Sequence, residues 1–260
     1  MMNGSRFTAY TEFGIPGISP REVLEGIIPA EELFPPRPGT AWEEHHAFGA
    51  WDGDPSTWLG LPTLARYFPP AETLDELIAQ SSLLQGEGYK AVFEEARRQK
   101  PYCSMALNWC FDEPWPAAAN NSLVAYPAVL KPAIAEVRRA CRPLCASARF
   151  ARFDWKEGET FEAEVWILND VFARTGPFVV TVTLRAGRAE ERILRWESPS
   201  VEPNRNTAGP TARFRLPAWD TDRFGVELSV EGHPEMNACY TLMYRRSPRK
   251  RRCTSMNVTE

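Results

Sequence analysis

Phe161-Glu162-Ala163-Glu164-Val165-Trp166-Ile167 alternates apolar and polar residues with a period of two, the pattern of a strand with one face on a core and one in water. Val179-Val180-Thr181-Val182-Thr183-Leu184 repeats the pattern with a β-branched bias. It continues through Arg192–Trp196, Ala212–Leu216, Gly225–Val230 and Tyr240–Tyr244. Between these runs stand turn formers: Lys156-Glu157-Gly158, Thr175-Gly176-Pro177, Ala186-Gly187-Arg188 and Glu231-Gly232-His233-Pro234. Six or seven short strands at this spacing over about 100 residues predict an antiparallel β-sandwich of immunoglobulin-like type across 145–244.

Upstream the composition changes. Of 23 prolines, 16 lie in residues 1–144, where helices are mixed with loops. A long helix is expected from Asp75, as its cap, to Arg97-Arg98-Gln99-Lys100, with a kink or break at Gly86-Glu87-Gly88. A short one is expected from Pro132 to Cys141. Apolar strand-like stretches, Arg6–Phe13 and Tyr102–Phe111, precede them. Strand, helix, strand, helix makes two βα units, which cannot close a sheet by themselves.

The chain has 260 residues, 43% apolar and 25% charged, with formal charge −4. This balance excludes a disordered or collagen-like chain. No run nears the ~18 apolar residues of a membrane span, so no membrane partner is expected. Six Lys/Arg against one Glu in 245–260 leave the body acidic, a poor match for nucleic acid. The basic run Arg245–Arg252 reads as a solvated, disordered tail, with a nucleic-acid or nuclear-targeting element as its alternative. Cys103, Cys110, Cys141, Cys145, Cys239 and Cys253 show no metal-ligand spacing and are expected to be reduced and mostly buried. Neither metal nor cofactor is expected. Met1–Gly14 contains no apolar signal core, and the compartment stays open between cytoplasmic and secreted.

Three stretches carry chemistry. Tyr10-Thr11-Glu12-Phe13-Gly14 sets a carboxylate at the end of an apolar strand, where α/β barrels keep catalytic groups, although a solvated Glu has the same pattern. Asn108-Trp109-Cys110-Phe111-Asp112-Glu113-Pro114-Trp115-Pro116 combines indoles, an amide and acids. Such a set binds sugars by stacking and hydrogen bonds, and equally describes core tryptophans beside a turn. The connection 29–70, with Trp42, His45, His46, Trp51 and Trp58, is long enough to be functional. His45-His46 is adjacent, so it reads as a pocket lip or a buried hydrogen-bonded His rather than a metal pair.

These segments resemble glycoside hydrolase family 2. Thr11-Glu12-Phe13-Gly14 is similar to its Ser-Glu-Phe/Tyr-Gly nucleophile segment. Trp109–Pro116 is similar to the Trp-Gln-Leu-Asn-Asp-x-Trp-Pro of its β-mannosidase and exo-β-glucosaminidase branch, and Lys131-Pro132-Ala133 to the Lys-Pro-Ala that opens the last barrel helix. The resemblance implies the last two βα units of an incomplete (β/α)8 barrel in 1–144, followed by the sandwich. It implies a retaining β-glycosidase with Glu12 as nucleophile, and a β-glycoside held by Trp109, Asp112, Glu113, Trp115, Trp51, His45 and His46. A second carboxyl group would protonate the leaving group, but the family's Asn-Glu dipeptide is absent from this sequence. About 140 residues precede the sandwich, against ~250 for a whole barrel. The isolated chain is therefore expected to be inactive, with the remaining barrel strands as its partner. The alternative is a non-catalytic carbohydrate-binding or structural module.

Two strands of an open sheet leave edges and an apolar face bare. Limited proteolysis is expected to yield a stable fragment of about 145–244 and none from 1–144; the reverse yield contradicts this division.

Overall fold

The computed structural model describes residues 6–49 and 58–247. In chain order its strands are β1 (Ala9–Phe13), β2 (Gly17–Ile18), β3 (Met105–Asn108), β4 (Ala119–Asn120), β5 (Val124–Ala125), β6 (Val129–Leu130), β7 (Leu144–Arg149) and β8 (Asp154–Lys156). β9 (Thr160–Asn169), β10 (Val179–Ala186), β11 (Ala189–Glu197), β12 (Thr207–Arg215), β13 (Arg223–Val230) and β14 (Ala238–Arg245) follow. The α-helices are α1 (Arg21–Ile27), α2 (Ala41–Glu44), α3 (Leu61–Tyr67), α4 (Leu74–Arg98) and α5 (Ala133–Ala140).

From β7 onward the chain builds two sheets, ordered β11-β10-β13-β14-β8 and β12-β9-β7. All pairings are antiparallel except β14 with β8. Alternation decides which side chains face inward: Phe161, Ala163, Val165 and Ile167 of β9 meet Val180, Val182 and Leu184 of β10 and Phe224, Val226 and Leu228 of β13 in one core. The periodic runs thus sit where expected. β12 begins five residues before the predicted Ala212, and its pairing with β9 shifts between Ala208 and Thr211, which interrupts the period-two pattern there. Gly209 lies there against the Trp196 ring, which an added Cβ would meet at 2.7 Å.

α4 runs unbroken for 25 residues, which corrects the expected interruption at Gly86-Glu87-Gly88. These glycines serve close approach. A Cβ on Gly86 would lie 3.0 Å from Glu136 of α5, and one on Gly88 would lie 3.0 Å from Ile15. The cap is Thr73, whose hydroxyl accepts from the Glu76 amide. Asp75 instead pairs with Arg21 at 2.7 Å in the first turn. The five described cysteines are free, but only Cys103 and Cys145 are buried. Cys141 caps the end of α5 and Cys239 takes an outward position on β14, which corrects the expectation of mostly buried thiols. Cys253 and the basic run beyond Ser247 lie outside the described residues. No described helix is long and apolar enough to cross a membrane.

Contacts cross the boundary near residue 144. Arg98 of α4 pairs with Glu94 (3.0 Å) and Glu95 (3.1 Å) and donates to Ser147 Oγ and the Ala148 carbonyl of β7. The Tyr240 hydroxyl donates to Glu94 at 2.8 Å. Nearby, Glu87 accepts from the Thr241 amide (2.8 Å) and pairs with Lys90, which also meets Glu136 at 2.8 Å. Burial pushes the Glu87 carboxyl up to about 7.

A folded-state value above the unfolded one means the native form holds an extra proton between about 4.5 and about 7. Stability from this group is therefore present at low pH and lost as pH rises through that window. Urea titrations of Glu87→Gln against the parent chain should show the variant gaining relative stability from pH 5 to pH 8. A constant difference across this range contradicts the assignment.

Candidate functional site

β1 and β3 pair in parallel, so their carboxyl ends lie side by side. Ala9 and Tyr10 face Met105 and Ala106, and Phe13 faces Asn108. Three steps along β1 thus match two along β3, a bulge that re-aims side chains. Tyr10 and Phe13 turn toward α4, with the Phe13 ring 5.1 Å from Phe93 and 5.9 Å from Tyr89. Thr11 and Glu12 are both exposed. Nothing among the described residues bonds the Glu12 carboxylate.

The Trp109 amide donates to the Phe13 carbonyl at 2.9 Å. This backbone bond holds Trp109 one residue from Glu12 across the sheet, and Trp109 is 54% exposed. The Trp109–Cys110 peptide is cis, and Asn108 Nδ2 donates to the Cys110 carbonyl at 2.8 Å. Asp112 is exposed and bridges Val124 through its backbone. Behind β1, a Cβ on Gly14 would fall 2.1 Å from Asn121 Nδ2, so the turn after Phe13 admits no larger side chain without displacing Asn121.

Glu113 departs from its expected role. Its side chain is wholly buried, 2.9 Å from the equally buried Lys131 ammonium. It also accepts from Ser122 Oγ and, at 3.3 Å, from the Tyr126 amide. These commitments leave it no access to a sugar. Lys131 Nζ donates further to the Gly17 and Asn120 carbonyls, each at 3.2 Å. The pair joins the segment after β1, the segment after β3 and the start of α5. Desolvation lowers the Lys131 pKa, and Glu113 opposes that shift. Sequence reasoning placed Lys131 only in a helix-opening motif; its 18-residue separation from Glu113 carries no periodic signal.

A second aromatic group lies farther along the same segment. Trp115 stacks on His45, with centroids 6.1 Å apart, and meets His46 edge-on at 6.0 Å. His46 stacks on Trp58 at 5.6 Å. His45 Nδ1 lies 2.9 Å from the Pro116 carbonyl, and its own carbonyl accepts from the Ala118 amide at 2.7 Å. His46 takes a left-handed φ of 73°, rare outside glycine but tolerated by His. Burial pushes its imidazole pKa down, favouring the neutral ring at pH 7. Among the described residues no ring contact or hydrogen bond joins this group to Glu12. Trp51 lies outside the described residues. No described cluster of His, Cys, Asp or Glu converges on a metal position. The strand ends thus carry an exposed Glu12 and an exposed Trp109, with an aromatic group along the adjoining segment.

No protein-family model matches the sequence, and no curated protein matches it. Solved structures do. The β-D-mannosidase of Dictyoglomus thermophilum aligns over 90% of this chain at 20% identity with a TM-score of 0.66. An Amycolatopsis orientalis exo-chitosanase in complex with a β-D-glucosamine derivative aligns over 90% at 15% identity, also with a TM-score of 0.66. The chain spans 27% of the length of each. At these identities the likeness is one of fold.

Truncating one member of a buried ion pair leaves the other charge unpaired, at a cost of about 3–5 kcal/mol. Lys131→Met should therefore destabilise the chain by about that much in urea unfolding. Adding Glu113→Leu should recover part of the loss, and strictly additive losses would show that the two groups do not interact.

Proposed function

We propose that this chain is part of a retaining β-glycosidase of the glycoside hydrolase family 2 type. On this reading β1–α4–β3–α5 is a portion of a (β/α)8 barrel, and the two sheets after it form an immunoglobulin-like sandwich. The observation that carries the proposal is that Glu12 and Trp109 are both exposed at the common carboxyl end of two parallel strands. Barrel enzymes keep their chemistry at that end. Glu12 would attack the anomeric carbon and form a glycosyl–enzyme, which water later hydrolyses. Trp109 would lie under the sugar ring, Asp112 would bond hydroxyls, and Trp115 with His45, His46 and Trp51 would border the aglycone side. The proton for the leaving group would come from a second carboxyl group on another strand. The substrate class is a β-mannoside or β-glucosaminide, the sugars named for the aligned enzymes.

A second reading, a non-catalytic carbohydrate-binding module, is favoured by the absence of an Asn-Glu dipeptide. Both readings bind sugar, and Glu12 separates them. Calorimetric titration with methyl β-mannoside and with β-glucosamine should show saturable binding without turnover. Trp109→Ala should weaken it by about tenfold, since stacking contributes on the order of 1 kcal/mol. Glu12→Gln should change affinity on the enzymatic reading and leave it unchanged for a binding module. Binding insensitive to Trp109 overturns both.

A further inference from the structure

A cavity of about 160 Å³ lies at the junction of α4 with the sandwich. Its walls include Tyr67 at the end of α3, Leu84 of α4, Ala148 of β7, Phe150 and Phe153 of the β7–β8 connection, and Leu242 of β14. That volume is close to the ~150 Å³ at which an apolar protein cavity takes in one benzene ring. Rings dominate the walls. Tyr67 meets Phe153 edge-on at 5.1 Å, and Phe150 meets Tyr240, which also lines the cavity, at 5.0 Å. A further ring would therefore find aromatic edges and faces to pack on.

Glu87 supplies spare polar capacity there. It lines the cavity with its side chain only 10% exposed. Its Oε1 accepts from Lys90 Nζ at 3.1 Å and from the Thr241 amide at 2.8 Å, whereas Oε2 has no hydrogen-bond partner among the described residues. The formal charges on the walls are already matched: Glu87 by Lys90, Arg98 by Glu94 and Glu95, Arg149 by Glu95 and Glu164, and Arg152 by Glu159. A charged ligand would bring an unmatched charge into an apolar setting, which is costly. A neutral one with a single donor would satisfy the remaining Glu87 oxygen.

We propose that this cavity binds a neutral molecule of one aromatic ring bearing one O–H or N–H donor, a phenol in its simplest form, with the donor on Glu87 and the ring among Leu84, Phe150, Phe153 and Leu242. None of Glu12, Trp109, Asp112 and Trp115 lines it, so the site is separate from the strand ends and independent of the glycosidase reading. Its occupant would touch α4, β7 and β14 at once. Binding therefore requires the two parts of the chain to be docked, and it stabilises their junction by mass action.

Calorimetric titration of the full 260-residue chain with phenol should show one saturable site. The methyl NMR signals of Leu84 and Leu242 should shift with the same saturation. Fluorobenzene offers the same ring without a donor. Glu87→Met should lower the ratio of phenol affinity to fluorobenzene affinity by about tenfold, the scale of one hydrogen bond to a carboxylate. Ala91 lines the cavity from an exposed position, so Ala91→Trp obstructs it without entering the core and should abolish binding of both compounds. Where Glu87→Met does not fold, Ala91→Trp decides. Phenol that fails to saturate, leucine methyl signals that stay in place, a ratio unchanged in folded Glu87→Met, or binding that survives Ala91→Trp each overturns the proposal.

Discussion

The Lys131 ammonium has three donors and, in a wholly buried position, three acceptors: the Glu113 carboxylate and the carbonyls of Gly17 and Asn120. An isolated charge at that depth would be expelled or neutralised. Satisfied on all sides, it instead fixes three chain segments relative to one another. Gly17 and Asn120 are themselves register partners in the β2–β4 pair, so the ammonium closes a link that the backbone has begun. The segment after β1 is thereby bound to the segment after β3, just beyond the strand ends that carry Glu12 and Trp109.

The same logic holds where the two parts of the chain meet. α4 presents Glu94, Glu95 and Arg98 to Ser147, Ala148, Arg149 and Tyr240, with ion pairs and hydrogen bonds satisfying the buried charges. One hydrophobic cluster runs from Ile18 and Leu24 through Trp42 and Leu77 into the sandwich. The composition break near residue 144 therefore marks a change of architecture within a continuous core. Polar groups matched across such a junction restrict how α4 can lie on β7 and β14, because any slide would leave a buried charge unpaired.

Much of this was legible in the sequence wherever one local rule dominates. Period-two runs became β9, β10, β11, β13 and β14 because one face of each meets the core. β7, Leu144-Cys145-Ala146-Ser147-Ala148-Arg149, carries no strand signal in the sequence: its small residues give no alternation, since both of its faces are covered. Gly86 and Gly88 read as helix breakers by propensity, yet contacts with Glu136 and Ile15 from distant segments require them. At the candidate site, strand-end position and residue type single out Glu12 and Trp109 in the sequence, and both are exposed in the structure. Glu113 could not be told from Asp112 beside it, as the difference lies in Lys131, which only the fold brings near. The bulge that exposes both Thr11 and Glu12 depends on register with β3, and register is not a local property.

The claim on which the functional reading stands is the nearness of the Glu12 side chain to the Trp109 indole on the open end of the sheet. A nitroxide attached to Glu12→Cys, after the native cysteines are replaced, tests it directly in the NMR spectrum of the full chain. The account predicts strong broadening of the Trp109 indole N–H signal and an unchanged Trp219 signal in the sandwich. An unbroadened Trp109 resonance would contradict it.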